Sequence, residues 1–242
     1  MRNYRPTLAI LLPVSLIVTV LCGGAALRVP VIGQLEATNP AVSVAVPSGI
    51  PLKLVKIEGP MGSPVPHYQY TLHNIGADSI MALTIKWSVY VGDDPTPRLT
   101  KLSTVDHWAG GPDSWFSPGK EKSFILTETI IGGGKTVTRM EGTPVFIEFD
   151  NGVRLGSEAE QIFARLTKRR QEMLEEFSRA LAIYKASGQG ALTYELAQAT
   201  ATPAANEGRA FAAEMVLSKM REMGTPAGIA YLSKAAELQV PL

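Results

Sequence analysis

The residues best suited to acid–base or metal chemistry are the histidines, and they are dispersed along the chain. There are three, His67, His73 and His107. His67 and His73 share one face of a predicted strand, but six residues of extended chain separate them by about 20 Å. One metal ion cannot bind both. His107 would need Asp106 or Asp113 as an oxygen ligand, and the spacing does not fix that geometry. We therefore predict no catalytic residue, no metal site and no cofactor.

Four aspartates form the other set that could do metal chemistry. They are Asp93, Asp94, Asp106 and Asp113. They could line one end of a β domain and hold calcium, because calcium prefers carboxylate oxygens as ligands. Their spacing does not match an EF-hand loop, and the sequence contains neither a G-x-S-x-G nor an H-E-x-x-H motif. A metal-assisted extracytoplasmic hydrolase that uses these loop carboxylates is therefore the alternative function.

One loop concentrates aromatic residues among turn formers. Residues His107–Lys122 read HWAGGPDSWFSPGKEK and include Trp108, Trp115 and Phe116. Exposed aromatic rings on a loop can stack on sugars or anchor a protein partner. We therefore predict that His107, Trp108, Trp115 and Phe116 form a binding surface. The alternative is that the rings fold back and fill the open end of a β domain.

The elements that must position these residues are strands in the first half of the chain. The candidate strands are 42–46, 52–58, 67–74, 80–91, 99–106, 123–130, 136–140 and 144–149. In Ile80–Val91 the odd-numbered residues are apolar, whereas Thr84, Lys86 and Ser88 are polar, which predicts one buried and one wet face. The pattern resembles the immunoglobulin and fibronectin type III folds. That resemblance implies a two-layer antiparallel β-sandwich over residues 48–156.

The second half has the period of helices, so the chain is of the α+β class. Residues 157–242 are predicted to be a helical C-terminal region. The predicted helices are 157–187, 192–199, 206–223 and 225–238. Gly188 is expected to end the first of them, and the stretch from Gly188 to Pro203 should be the most exposed connection. The run Lys168–Arg170 is balanced by nearby glutamates, which indicates a solvated face.

The N-terminal residues carry a targeting pattern. Arg2 and Arg5 precede the apolar run Leu8–Leu21, and small residues follow to Ala26. This order is typical of a secretory signal peptide, and an uncleaved membrane anchor is the alternative. Cys22 leaves a lipoprotein signal open. We therefore predict a signal peptide or anchor over residues 1–26, a linker over 27–47 and an extracytoplasmic location: periplasmic, secreted or membrane-anchored.

Composition narrows the class of function. The chain has 242 residues, of which 45% are hydrophobic, and a formal net charge of +1. It can bury a sizeable core, and it lacks the basic excess of a nucleic-acid binder. We predict an exported or envelope-associated binding or scaffolding protein, not an enzyme, that meets a protein or glycan through the aromatic loop. Contact with the membrane should involve only the N-terminal segment, and the long helix could mediate self-association.

Overall fold

The computed structural model describes residues 40–61, 67–127, 137–201 and 206–241. The strands are β1 (Ala41–Val44), β2 (Leu52–Met61), β3 (His67–Asn74), β4 (Ile80–Val91), β5 (Leu99–Asp106), β6 (Glu121–Thr127), β7 (Val137–Phe149) and β8 (Arg154–Leu155). The helices are α1 (Ala159–Ala201), α2 (Glu207–Met223) and α3 (Thr225–Ala235). The predicted signal or anchor segment 1–26 lies outside the described residues. Within the described part of the chain, no helix is long and apolar enough to span a membrane.

The strands form two sheets that are mostly antiparallel. The larger sheet has the order β1–β7–β4–β5, with the short strand β8 paired to β7. The smaller sheet has the order β2–β3–β6. Only the pair β1–β7 is parallel among the strands described. The predicted α+β class, with antiparallel sheets followed by a helical C-terminal region, is confirmed at this level. The two predicted strands 136–140 and 144–149 are one strand, β7.

The two sheets pack against each other through aromatic rings. The ring of Tyr70 on β3 meets the edge of Trp87 on β4, with 5.3 Å between the ring centroids. Tyr70 also stacks on Phe124 of β6 at 5.4 Å. On β4 the alternation predicted from the sequence places Leu83, Ile85, Trp87 and Val89 in this core. Met81 does not follow it, because a bulge between Ile80 and Ala82 turns Met81 toward the helices.

The opposite face of the larger sheet is covered by α1. Ala82 and Phe146 of the sheet form an apolar cluster with Ile162 and Leu166 of the helix. The larger sheet is therefore a middle layer between the smaller sheet and the helices. The predicted wet face of β4 is wrong at Thr84, which is fully buried. Period-two alternation identifies the two faces of a strand, but it does not show that a helix from elsewhere in the chain covers the second face.

The helical region follows the predicted caps and breaks. Gly188 leaves the helical conformation, with φ 76° and ψ −171°, so the predicted stop is confirmed as a sharp break inside α1. Asn206 caps α2 by accepting a hydrogen bond from the backbone N–H of Arg209. The predicted exposed connection after Gly188 is wrong, because the chain continues as helix to Ala201 and buries Leu192 and Leu196.

Candidate functional site

The loop between β5 and β6 is held to the β core at its far end. Phe116 pairs with Ile80 through two backbone hydrogen bonds of 2.9 and 3.0 Å. This isolated antiparallel bridge lies at the first residue of β4. The Phe116 ring packs in the core between the sheets. There the ring meets the edge of Phe124 at 6.3 Å. Phe116 is 2% exposed, so its ring belongs to the packed interior.

The near end of the loop is held to the helices. Trp108 is 4% exposed and lies in the apolar cluster formed with α1, α2 and α3. Its indole N–H donates to the backbone carbonyl of Gln239, just after α3, at 2.9 Å. The backbone N–H of Trp108 donates to Asp106 at 3.1 Å, which fixes the turn out of β5. Trp108 therefore links the loop to the end of the helical region.

Trp115 and His107 are half-buried, and both lie at the surface of the loop. Trp115 packs on the edge of the helical cluster, and its indole N–H is buried without a hydrogen-bond partner. The ammonium of Lys122 lies 2.8 Å from Nε2 of His107 and donates to the carbonyl of Ser114, also at 2.8 Å. Burial lowers the pKa of His107, and the charge of Lys122 lowers it further. Burial also lowers the pKa of Lys122.

The four residues predicted as a binding surface are thus divided between interior and surface. The rings of Trp108 and Phe116 are folded back, as the alternative interpretation expected, but Trp108 fills the helical cluster and not the end of the sheets. Trp115 and His107 remain within reach of a partner. Binding of a partner by His107 and Trp115 stays a prediction.

A cleft lies beside the loop, between the segment Ala109–Asp113 and α3. It has a volume of about 220 Å³. The glycine-rich backbone of the loop forms one wall, and Tyr231 and Leu238 belong to the other. The hydroxyl of Tyr231 reaches the carbonyl of Ala109 at 3.4 Å. Asp113 and Lys234 are exposed members of the lining, so the cleft combines an apolar wall with one charge of each sign.

A buried charge cluster anchors the start of the same loop. Arg170 of α1 donates two hydrogen bonds of 2.9 Å to Asp106 and one of 2.7 Å to Glu148 of β7. The side chains of Arg170 and Glu148 are completely buried. Burial by itself would lower the pKa of Arg170, but the hydrogen bonds that Arg170 donates to the two carboxylates, together with their negative charge, outweigh it and raise that pKa. One carboxylate oxygen of Glu148 has no hydrogen-bond partner.

The sequence interpretation placed Arg170 on a solvated face, which is wrong. A signal was present, because Arg170 continues the spacing of Leu166, Met173 and Phe177, all of which are buried on the same side of α1. Lys168 keeps the predicted solvent exposure. Within one turn of α1, the charged run Lys168–Arg170 therefore includes an exposed lysine and a fully buried arginine.

The structure does not bring the four predicted metal-ligating aspartates together. Asp93 and Asp94 lie in the turn before β5, whereas Asp106 is at the other end of that strand and binds Arg170. His67 and His73 lie at opposite ends of β3. Among the described residues, no group of three histidine, cysteine or acidic side chains is placed to hold a metal ion.

Comparisons with known proteins add little to this geometry. No family model matches the chain, and no curated protein matches it. A solved structure of a hypothetical protein from Peptoclostridium difficile 630 is similar with a TM-score of 0.32 and 13% sequence identity. The match covers 49% of this chain and 92% of that one.

Proposed function

We propose that the chain is an exported or envelope-associated protein without catalytic activity, which binds or scaffolds another protein through an immunoglobulin-like β-sandwich module. The shared aromatic core of the two sheets supports the sandwich. The observation that carries the binding role is the cleft between Ala109–Asp113 and α3, which lies beside the loop that the sequence marks for interaction.

The chemistry of the cleft suits a short protein segment. An apolar side chain would fit against Tyr231 and Leu238. Asp113 and Lys234 would orient flanking charges of opposite sign. The buried Arg170 cluster and the Trp108 anchor hold both walls in place, and a preorganised site loses less entropy on binding.

Self-association through α1 has less support than a separate partner. The apolar side of α1 is already covered within the chain, since Leu166 packs on the larger sheet and Met173 and Phe177 pack in the cluster with α2 and α3. A helix whose apolar face is occupied offers little area for a second copy.

Photo-crosslinking tests the binding role directly. A photoreactive residue replaces Asp113, an exposed residue of the cleft, in the chain expressed in its native cell. We expect one discrete crosslinked protein product. The matched control replaces Asp150, an exposed aspartate in the turn between β7 and β8, and should give no such product. Equal labelling from both positions, or none from position 113, would overturn the proposed site.

The proposed location has its own test. Cleavage after Ala26 would give a mature chain that starts at Leu27. N-terminal sequencing of the protein purified from its native envelope should find this start. Recovery of chains with intact Met1 from detergent-free cytosol would overturn the extracytoplasmic proposal.

A further inference from the structure

A second groove lies between β5, α1 and the first turn of α2, and it shares no lining residue with the loop cleft. Its volume is about 280 Å³. Thr104 contributes a hydroxyl from β5, Arg165 and Arg169 contribute guanidinium groups from α1, and Glu207 contributes a carboxylate from α2. Leu102 and Leu166 complete the lining. The groove is therefore polar, with two positive charges against one negative charge.

The two arginines occupy one face of α1 because they are four residues apart. Like charges at that spacing repel each other, so the helix gains nothing from them by itself. Arg165 reaches the hydroxyl of Thr104 only at 3.4 Å, and no ion pair joins it to another residue within the described ranges. Its guanidinium therefore has most of its hydrogen-bonding capacity left for an outside group.

Arg169 is held in position but is poorly paired. Its guanidinium lies 4.2 Å from the ring centroid of Phe211, and its side chain is only 17% exposed. Its Nε atom is buried and has no hydrogen-bond partner. Among the described residues, the carboxylate within ion-pair distance of Arg169 is that of Glu207, which is 76% exposed and 3.5 Å away. An exposed pair at this distance is weak and screened by salt.

We propose that this groove binds a phosphate group, either free or as a monoester of a small molecule. Two guanidinium groups present several N–H donors in planes that suit oxyanions. The volume exceeds that of phosphate alone, which leaves room for an ester substituent. The incoming phosphate displaces the exposed carboxylate of Glu207 from Arg169. None of these residues lines the cleft between the loop and α3 on which the proposed function depends.

Titration of the purified full chain with inorganic phosphate at low ionic strength, followed by calorimetry, tests the proposal. Arg165→Gln and Arg169→Gln should each weaken binding by about tenfold, which is the effect of losing one charge-assisted contact. Arg165 is exposed, so its variant should keep the native fold. Arg221→Gln is the control, because Arg221 is an exposed arginine of α2 that pairs with Glu214 outside the groove.

The variant Glu207→Gln distinguishes phosphate binding from a purely structural role of the two arginines. Removal of the competing carboxylate should tighten phosphate binding several-fold, whereas a purely structural role of the arginines predicts no gain. Two further probes identify the source of the phosphate group. Binding of glycerol phosphate indicates a small monoester, and binding of vesicles that contain phosphatidic acid indicates a lipid headgroup. In either case, Arg165→Gln should weaken the binding. Absence of saturable phosphate binding, equal affinity in all variants, or acetate binding as tight as phosphate would overturn the proposal.

Discussion

Arg170 lies between two carboxylates that belong to different strands of the larger sheet. Its guanidinium joins Asp106 at the end of β5 and Glu148 in β7 to the first half of α1, and the arginine side chain is completely buried. The cluster thus sets two acidic side chains against one basic side chain. Taking ions out of water is costly, so each ion of such a cluster depends on its partners, and removing one partner leaves an uncompensated buried charge.

Arg170→Met should therefore destabilise the chain strongly. The substitution keeps an unbranched apolar side chain but leaves Asp106 and Glu148 buried without their cation. Loss of one partner from a buried pair costs about 3–5 kcal/mol. Arg221→Met, at an exposed position, should change stability by less than about 0.5 kcal/mol. Urea unfolding measures both, and a similar small loss in the two variants would contradict the role of the cluster.

His107 gives the loop a pH dependence of known sign. Burial and the charge of Lys122 hold the pKa of His107 below the ordinary value of 6.5. As the pH falls through about 6.5, the unfolded chain takes up this proton before the native chain does, so stability is lost toward acid and is fully present above that range.

His107→Gln should remove that part of the pH dependence. Glutamine keeps an oxygen that can accept the hydrogen bond of Lys122, but it does not titrate. The free energies of unfolding at pH 8 and pH 6 should therefore differ less in the variant than in the unchanged chain. The same difference in both chains would show that the loop does not disfavour the imidazolium.

At the scale of elements, the sequence predicts those features that depend on residues close together in the chain. Strands β3, β4 and β5, the cap at Asn206 and the break at Gly188 depend on nearby residues, and the structure has them where the pattern predicts them. The covering of the larger sheet by α1 depends on contacts between residues far apart in the chain, such as Phe146 with Leu166. Burial of Thr84 could not be predicted for that reason. The cleft of the candidate site could not be predicted either, because it forms only where the loop contacts α3, more than 100 residues further along the chain.

The close approach of α2 to α1 depends on one glycine. A Cβ atom at Gly208 would lie 2.5 Å from the backbone oxygen of Arg169 and 2.6 Å from Cβ of Glu172. Gly208→Ala should therefore push the helices apart and cost about 1–3 kcal/mol. Gly190→Ala is the matched control, because nothing lies within 4 Å of its added Cβ.

The control should respond in the opposite direction. Gly190 is exposed and helical, so alanine there should stabilise the chain by up to about 1 kcal/mol through its higher helix propensity. The melting temperatures of the two variants and of the unchanged chain, measured by thermal unfolding, test this difference. A Gly208→Ala variant as stable as the Gly190→Ala variant would contradict the packing described for α1 and α2.

At the scale of the whole molecule, the loop between β5 and β6 joins the layers. The segment from Asp106, the last residue of β5, to Phe116 contacts three environments in turn. Asp106 binds in the buried charge cluster, Trp108 packs against the helices, and Phe116 packs in the core between the sheets. The sequence marked this loop by its aromatic residues but could not tell which rings would be buried, since every ring in it is flanked by turn formers. The cleft that we propose as the partner site lies where the loop meets α3, at residues that carry no motif.

The most direct test of the binding role is the yield of the product crosslinked from position 113 when the cleft is altered. Lys234→Glu reverses the charge of an exposed cleft residue, and Lys185→Glu makes the same change on an exposed part of α1. We predict that Lys234→Glu lowers the yield by at least about fivefold, on the order of 1 kcal/mol of binding, whereas Lys185→Glu leaves it unchanged. Equal yields from the two variants, with thermal stability unchanged in both, would contradict a partner site in this cleft.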